Sequence, residues 1–462
     1  MFIKASPDSS LWTRRQTVRS LVAGSMMFPA ILNDLLASSG GDAAGNAPKA
    51  PHFPGKAKRV IFLFMTGGVS HLDTFDPKPR LIADGGKPVS DRPGSPRYLA
   101  PKWDFKPGGK SGAEVSELFP HLRECMDDIC LIRSMHGDHN DHFQATLGIH
   151  TGSVSFARPS IGSWTSYGLG TENQNLPGFV VLAPELPYAG TQVVSSDFLP
   201  GVHAGTRVMA GADPIPNLDR RSQSPKVQEL ELSLLDRFNR KHLQARPADP
   251  SLVARLKSFE TAAGMQMAMP DVLDLSKETD ATLGLYGLER GSTKGFAWQC
   301  LVARRLVERG VRFVELIDVG SHDNWDAHGD MKTHEPLAKN VDQAIAGLLK
   351  DLKSRGLLEE TLVVWTTEFG RTPNTDGPNG RSHHSGAFSS WLAGGGVKPG
   401  IIFGQTDDYG RSVIENGVHI HDFHATILHC LGFDHERLTF RHAGRDFRLT
   451  DVAGNVVKDV LA

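Results

Sequence analysis

Six runs of apolar, β-branched and aromatic residues are spread along this chain. They are RVIFLFMT (Arg59 to Thr66), DICLIRS (Asp128 to Ser134), GFVVLA (Gly178 to Ala183), VRFVELIDV (Val311 to Val319), TLVVWTT (Thr361 to Thr367) and SSWLAGG (Ser389 to Gly395). Their cores are continuously apolar rather than alternating, so each strand must be covered on both faces, the condition of a parallel sheet lying between helices. Helical patterns lie between the runs. From His334 to Arg355, Leu337, Val341, Ile345, Leu348 and Leu352 recur at spacings of three and four, and Gly356 follows as a stop. WQCLVARRLVERG leads into VRFVELIDV, and DFHATILHCLG closes the pattern near the C-terminus. The expected fold is α/β, a doubly wound, mostly parallel sheet with helices on both faces. From about Pro214 to Tyr286 the chain is polar and helical, broken by PADPS, and is expected to form a helical insert or cap.

With 462 residues the chain is long enough for one large domain or two ordinary ones. Its formal charge of −2 gives no electrostatic basis for binding nucleic acid or an anionic membrane surface. The four cysteines form no CxxC pair, which argues against a zinc ribbon or a thioredoxin-like site. Each sits in or beside an apolar run and reads as a buried thiol.

The first fifty residues differ from the rest. TRRQTVR (Thr13 to Arg19) precedes SLVAGSMMFPAILNDLLA and the small-residue stretch SSGGDAAGNA. A twin-arginine pair, an apolar middle and a small-residue tail are the pattern of a twin-arginine (Tat) export signal. The expectation is a chain handled by the Tat machinery and delivered to the periplasm or outside the cell, with the folded domain occupying residues 51–462. Gly24, Pro29, Asn33 and Asp34 interrupt the apolar middle, and no segment reaches the roughly 18 to 20 apolar residues of a membrane span.

In an open parallel sheet, ligands bind beyond the carboxyl ends of the strands. RVIFLFMT is followed by Ser70, His71, Asp73 and Asp76, and DICLIRS by His136, Asp138, His139, Asp141 and His142. VRFVELIDV is followed by His322, Asp323, Asp326 and His328. TLVVWTT is followed by Glu368, Arg371 and the glycine-rich stretch GRSHHSG, which carries Arg381, His383 and His384. A single polar loop means little, but four strands ending in carboxylate and imidazole clusters on one edge point to a metal site. Mixed carboxylate and imidazole ligands suit zinc, manganese or iron, whereas carboxylate and carbonyl sets lean to calcium or magnesium. Arg371 and Arg381 are candidates for holding a sulfate or phosphate oxygen bidentately.

FLFMTGGVSHLDTFDPKP, NWDAHGD, TEFGRTPNTDGPNGRSHHSGAFSSWLAGGGVKPG and DFHATILHCLGFDHERLTF resemble the secreted bacterial family known as domain of unknown function 1501. That family is regarded as sulfatase-like and is placed in the alkaline phosphatase superfamily. The resemblance covers nearly the whole chain after the leader and implies an alkaline-phosphatase-like α/β fold with one or two divalent ions (zinc, manganese or calcium). It implies Asp73 or Asp76 as a ligand after the first strand. Asp326 and His328 are implied in one loop, with His383 completing that site. Glu368 stands where a second-metal aspartate is usual, and the following Phe369 cannot ligate.

A further departure concerns the nucleophile. The superfamily places a Cys, Ser or Thr at the start of a helix, and counting back from Thr151-Gly152 puts His142 there, so His142 is the catalytic candidate at that position. The sulfatase signature CxPxR is absent from the chain. A metal-activated water is then the simplest nucleophile, with Thr146 and Ser70 as weaker covalent alternatives. The resemblance favours structural roles for His424 and His429. Two functions follow as expectations. One is an exported metal-dependent hydrolase of a phosphate or sulfate ester, on a small molecule or polysaccharide. The alternative is a non-catalytic secreted binding or surface-associated protein that retains the fold.

Overall fold

The computed structural model describes residues 46–211, 214–216, 218, 224–246 and 250–462. The proposed twin-arginine motif lies outside the described residues. In chain order the main elements are β1 (Arg59–Phe64), β2 (Ile129–His136), α1 (His142–Thr151), α2 (Ile161–Leu169), β3 (Phe179–Leu182) and β4 (Thr206–Val208). Then come α3 (Pro225–Gln244), α4 (Pro250–Leu273), α5 (Asp280–Tyr286), α6 (Phe296–Glu308), β5 (Phe313–Ile317), α7 (His334–Ser354) and β6 (Thr361–Thr366). The last main elements are β7 (Gly370–Asp376), β8 (Gly380–His384), β9 (Phe388–Ala393), β10 (Ile401–Phe403), β11 (Val418–His419) and α8 (Ile420–Cys430), and a small hairpin of Phe440–His442 and Arg445–Phe447 follows.

Among the described residues the central sheet has nine strands, in the order β10-β2-β9-β6-β1-β5-β3-β4, with β11 also paired to β2. β1 lies at its middle and all six of its residues are buried. Ile61 and Leu63 enter one hydrophobic core, while Val60, Phe62 and Phe64 enter the other. Alternate residues of β5 and β6 divide in the same way. The strand period of two thus feeds two cores, which is why these sequences could be apolar throughout. β1 pairs in parallel with β5 and β6, with Phe64 level with Ile317 and Thr366, so their carboxyl ends form one edge.

The apolar run around Ser389 to Gly395 reads from sequence like the parallel strands. In the structure β9 runs antiparallel to both β2 and β6. The chain leaves β6, makes the β7–β8 hairpin without a crossover helix, and so re-enters the sheet from the edge it left. The stretch GRSHHSG is likewise not a loop, because Gly380–His384 is a strand of that hairpin. Within 214–286 the described residues form α3, α4 and α5, of which Met269, Val272 and Tyr286 are buried in the main core. All four cysteines are buried free thiols. Among the described residues no helix is long and apolar enough to cross a membrane.

Candidate metal centre

Every segment of the site leaves the same sheet edge. Beyond β1, the N–H of Gly67 donates to both Glu368 carboxylate oxygens, at 2.9 and 3.1 Å. Gly67 has φ +113°, and a Cβ there would stand 2.6 Å from Asn324 Oδ1 and 2.7 Å from the Asp326 nitrogen, so a side chain would push the Asp326 loop away. Beyond β5, Asp318 accepts hydrogen bonds from the N–H groups of Thr66 (3.1 Å) and Val319 (2.7 Å) and from Trp325 Nε1 (2.6 Å). Burial pushes its carboxyl up to about 7 against the pull of those donors. Trp325 is fully buried and anchors the loop that presents Asp326. Beyond β2, Asp141 caps α1 by accepting from the Phe143 N–H, which sets His142 at the first helical position.

At the centre the ligand atoms of His142, Asp326 and His383 lie within 4.8 Å of one another. Asp326 Oδ1 is 2.7 Å from Arg371 Nη2, 3.0 Å from His328 Nε2 and 3.2 Å from His383 Nε2. His142 Nε2 stands 3.3 Å from Asp326 Oδ2 without hydrogen-bond alignment, and it is a buried atom with no hydrogen-bond partner. His328 Nε2 and His383 Nε2 face each other at 2.8 Å.

The outer nitrogens decide what this means. His142 Nδ1 is 2.7 Å from Glu368 Oε1, His328 Nδ1 is 2.6 Å from Asp376 Oδ2, and His383 Nδ1 is 2.7 Å from the Asn140 carbonyl. Each partner is an acceptor only, so each Nδ1 carries its proton, and a ring that is neutral turns an Nε2 lone pair inward. Two such lone pairs at 2.8 Å repel unless a cation or an extra proton lies between them. Histidines that donate Nδ1–H to a carboxylate or carbonyl and aim Nε2 at a common point are the arrangement of metal ligands. Imidazoles with one carboxylate fit zinc or manganese better than calcium. His142, His383 and Asp326 would hold the ion, with His328, 3.0 Å from Asp326 and 2.8 Å from His383, as a further candidate ligand.

The electrostatics agree. Burial opposes ionisation of Asp326, but His142, His383 and the Arg371 guanidinium hold its carboxyl well below the usual range. Burial pulls His142 down, yet the carboxylates of Asp326 and Glu368 outweigh it and push the imidazole up to about 8, so without an ion Nε2 holds a proton at neutral pH that a bound cation would displace. Tyr188 stacks on the His142 ring at 4.1 Å and 13°. Phe369 packs against both His142 (4.8 Å) and His383 (4.7 Å). Such aromatic pairs contribute about 0.5–1.5 kcal/mol each beyond their burial, and these fix the planes of two of the candidate ligands.

Sequence reasoning expected Asp73, Asp326, His328, Glu368 and His383 as ligands, and His142, Arg371 and Arg381 as catalytic groups. The structure groups Asp326, His328 and His383, and adds His142 to them. Glu368 is placed behind His142: its oxygens accept from Gly67, His142 and Thr367, and it is not one of the residues whose ligand atoms converge. Asp73 is in a separate, fully buried ion pair with Arg381 (Nε to Oδ2, 2.7 Å) and accepts from Ser70 Oγ at 2.6 Å. Its charge is already matched, so it does not join the Asp326 group. The remaining Arg381 N–H groups donate to the carbonyls of Thr372 (3.1 Å) and Leu99 (2.9 Å). Arg371 is also fully buried, donating to the carbonyls of Gly68 (2.8 Å) and Arg381 (3.1 Å) and to Asp326. Neither guanidinium is placed to contact a substrate. Ser70, the proposed alternative nucleophile, has its hydroxyl committed to Asp73. Thr146 is fully buried, with an Oγ1 that has no hydrogen-bond partner.

The histidine doublet separates because strand neighbours point to opposite faces. His383 turns to Asp326, whereas His384 Nε2 donates to the Arg411 carbonyl at 2.5 Å on the other side of the hairpin. Gly380 allows the hairpin to approach the His328 loop, since a Cβ there would lie 1.9 Å from the His328 carbonyl oxygen. Asp376, Tyr188 and Asp318 were not anticipated. Asp376 lies in PNTDGPNG, a turn-like string that gave no chemical signal.

The chain matches the family described as Protein of unknown function (DUF1501) over residues 57–461. No curated protein matches it. Among solved structures it is similar to the lipoteichoic acid synthase LtaP from Listeria monocytogenes (9% identity, 86% of this chain and 78% of that chain, TM-score 0.34). It is also similar to alkaline phosphatase from the Antarctic bacterium TAB5 (10% identity, 82% of this chain and 99% of that chain, TM-score 0.35). The PsFucS1 sulfatase from Pseudoalteromonas sp. gives 13% identity, 89% of this chain, 72% of that chain and a TM-score of 0.35.

Proposed function

This chain belongs to the DUF1501 family, and we propose that it is a metal-dependent hydrolase of sulfate or phosphate esters. The observation that carries the reading is the set of three imidazoles whose Nδ1 protons are taken by Glu368, Asp376 and Asn140 while their Nε2 atoms converge on Asp326. A divalent cation held there would supply Lewis acidity and activate a water at neutral pH, the chemistry needed where no Cys or Ser hydroxyl stands at the helix start.

The protein's own groups have distinct parts in this scheme. Glu368 and Asp376 fix the tautomers of His142 and His328, and Arg371 keeps Asp326 ionised. Tyr188 and Phe369 hold the ring planes. Because every polar arm of Arg371 and Arg381 is spent on carbonyls and carboxylates, the ion is the group left to balance a substrate anion. That favours reacting groups with one negative charge, sulfate monoesters or phosphate diesters, over dianionic phosphate monoesters. The leader pattern at Thr13 to Arg19 supports export through the twin-arginine route to the periplasm or beyond.

The test is elemental analysis of the purified chain by mass spectrometry, followed by turnover of 4-nitrophenyl sulfate, bis(4-nitrophenyl) phosphate and 4-nitrophenyl phosphate. The reading requires one zinc or manganese per chain, hydrolysis abolished by chelation and by His383→Ala, and the first two substrates preferred. Stoichiometric metal with no turnover of any ester would instead support the non-catalytic binding reading. That second reading is motivated by the sequestering of Asp73 and Glu368 from the centre.

A further inference from the structure

Strand β3 also ends at the edge where the site lies, since it runs parallel to β5 with Leu182 level with Leu316. The loop beyond it adds no imidazole or carboxylate to the converging group, but it delivers Tyr188. That loop is pressed against the one beyond β5, where a Cβ on Gly320 would stand 2.3 Å from Glu185 Cβ. Tyr188 is half-buried, and its ring lies flat on His142, with centroids 4.1 Å apart and planes 13° from parallel. A phenylalanine ring would stack equally well, so the hydroxyl has a separate part to play.

Asn324 fixes the sense of the hydrogen bond at that hydroxyl. Its Oδ1 accepts from the backbone N–H of Asp326 at 3.0 Å, which can only donate, so the other arm of the amide is Nδ2. Nδ2 donates to the Gly320 carbonyl at 3.1 Å and to Tyr188 Oη at 3.0 Å. Tyr188 Oη is therefore the acceptor toward Asn324, and among the described residues nothing accepts its own proton. An O–H that accepts a hydrogen bond is polarised by it and becomes a better donor in turn. One side-chain amide thus links the backbone of Asp326, a candidate ligand, to an uncommitted O–H donor on a ring stacked against His142, another.

We propose that the Tyr188 hydroxyl donates a hydrogen bond to a non-bridging oxygen of an ester anion bound at the centre. This role rests on the hydrolase reading of the centre and makes Tyr188 a catalytic residue that touches the substrate beside the ion. Arg371 and Arg381 are spent on carbonyls and carboxylates, whereas a phenol supplies a donor without adding charge. A neutral donor suits an anion whose single charge the ion already balances. A dianion would keep a charge that Tyr188 does not meet.

Tyr188→Phe in the zinc-loaded protein tests this, because it keeps the ring on His142 and removes only the hydroxyl. The probe is dimethyl phosphate, a singly charged diester whose binding is read by isothermal titration calorimetry without any turnover. The wild type is expected to bind it, and Tyr188→Phe to bind it about tenfold to a hundredfold more weakly, the range for losing a hydrogen bond to a charged group. Zinc affinity by chelator competition and the melting temperature are expected to stay at wild-type values, which separates a substrate contact from support of Asp326 through Asn324. The proposal is overturned if dimethyl phosphate binding stays within about twofold in Tyr188→Phe, or if zinc affinity falls in step with it. A zinc-loaded wild type that binds no dimethyl phosphate overturns it as well. Ester hydrolysis by the wild type with normal dimethyl phosphate binding in Tyr188→Phe refutes this contact alone. Hydroxyl-dependent binding by a chain that hydrolyses no ester supports the contact and refutes the hydrolase reading alone. A chain that takes up no zinc overturns both.

Discussion

Glu368→Gln and Asp376→Asn together test whether the imidazoles are preset for a metal. Both carboxylates accept Nδ1–H from a candidate ligand at nearly the same distance, 2.7 Å for Glu368 to His142 and 2.6 Å for Asp376 to His328. They differ in burial: the Glu368 side chain is fully enclosed, whereas that of Asp376 is 40% exposed. Either amide keeps an oxygen able to accept the Nδ1 proton, so the shape of the site survives. At position 368 the new amide nitrogen can donate to the Thr367 hydroxyl, which now donates to Oε2 at 3.0 Å.

What is lost is the negative charge that makes the imidazole a stronger ligand. Outer-shell partners of this kind typically account for ten- to a hundredfold in metal affinity, or about 1.4 to 2.7 kcal/mol. The enclosed Glu368 should lie near the upper end, with zinc affinity about a hundredfold weaker in Glu368→Gln. Solvent screening at Asp376 should reduce the effect to about fivefold. Competition against a chromophoric chelator at pH 7.5 measures both, and thermal melting of the metal-free proteins checks that they remain folded. The reasoning is refuted if Glu368→Gln stays within about twofold of the wild type, or if Asp376→Asn weakens binding more than Glu368→Gln does.

Other perturbations bear on the same geometry. In the chelated protein, His142 is raised to about 8 from an ordinary value near 6.5, so its contribution of about 2 kcal/mol is fully present below pH 6.5 and lost as pH rises through 8. Urea unfolding of the metal-free chain between pH 6 and 9 should therefore show falling stability, and the trend should reverse with metal present because protons then compete with the ion for Nε2. Asp73→Asn leaves Arg381 uncompensated in a dry site and should destabilise the fold by about 3–5 kcal/mol. Joining it to Arg381→Met should cost far less than the sum of the two single changes, as a double-mutant cycle in denaturant would show. Gly67→Ala should abolish tight metal binding as well as lower the melting temperature, since it strains the backbone and drives a methyl group into the Asp326 loop. A variant that binds metal normally would show that the Asp326 loop does not depend on that close approach.

How far the chain could be read from its sequence divides along a physical line. Apolar continuity in RVIFLFMT and TLVVWTT implies burial on both faces, because a strand has only two faces and neither offers a polar side to water. Parallel pairing and the common carboxyl edge follow from that, and the Asp/His strings after four strands were therefore legible as one neighbourhood. The direction of β9 was not legible, since the apolar pattern of a strand is the same in either sense and only the hairpin of β7 and β8 reverses it. Nor was the separation of His383 from His384, which depends on that hairpin being a strand pair rather than a loop.

Composition and spacing named the residue types of a candidate metal centre but could not assign oxygen atoms to partners hundreds of positions away. Asp73 meets Arg381 across 308 positions and Glu368 meets His142 across 226. Which carboxylate faces an ion and which is matched by a guanidinium or an imidazole N–H is decided by burial and by the few ångströms between side chains. Those distances exist only once the sheet has brought its loops to a single edge.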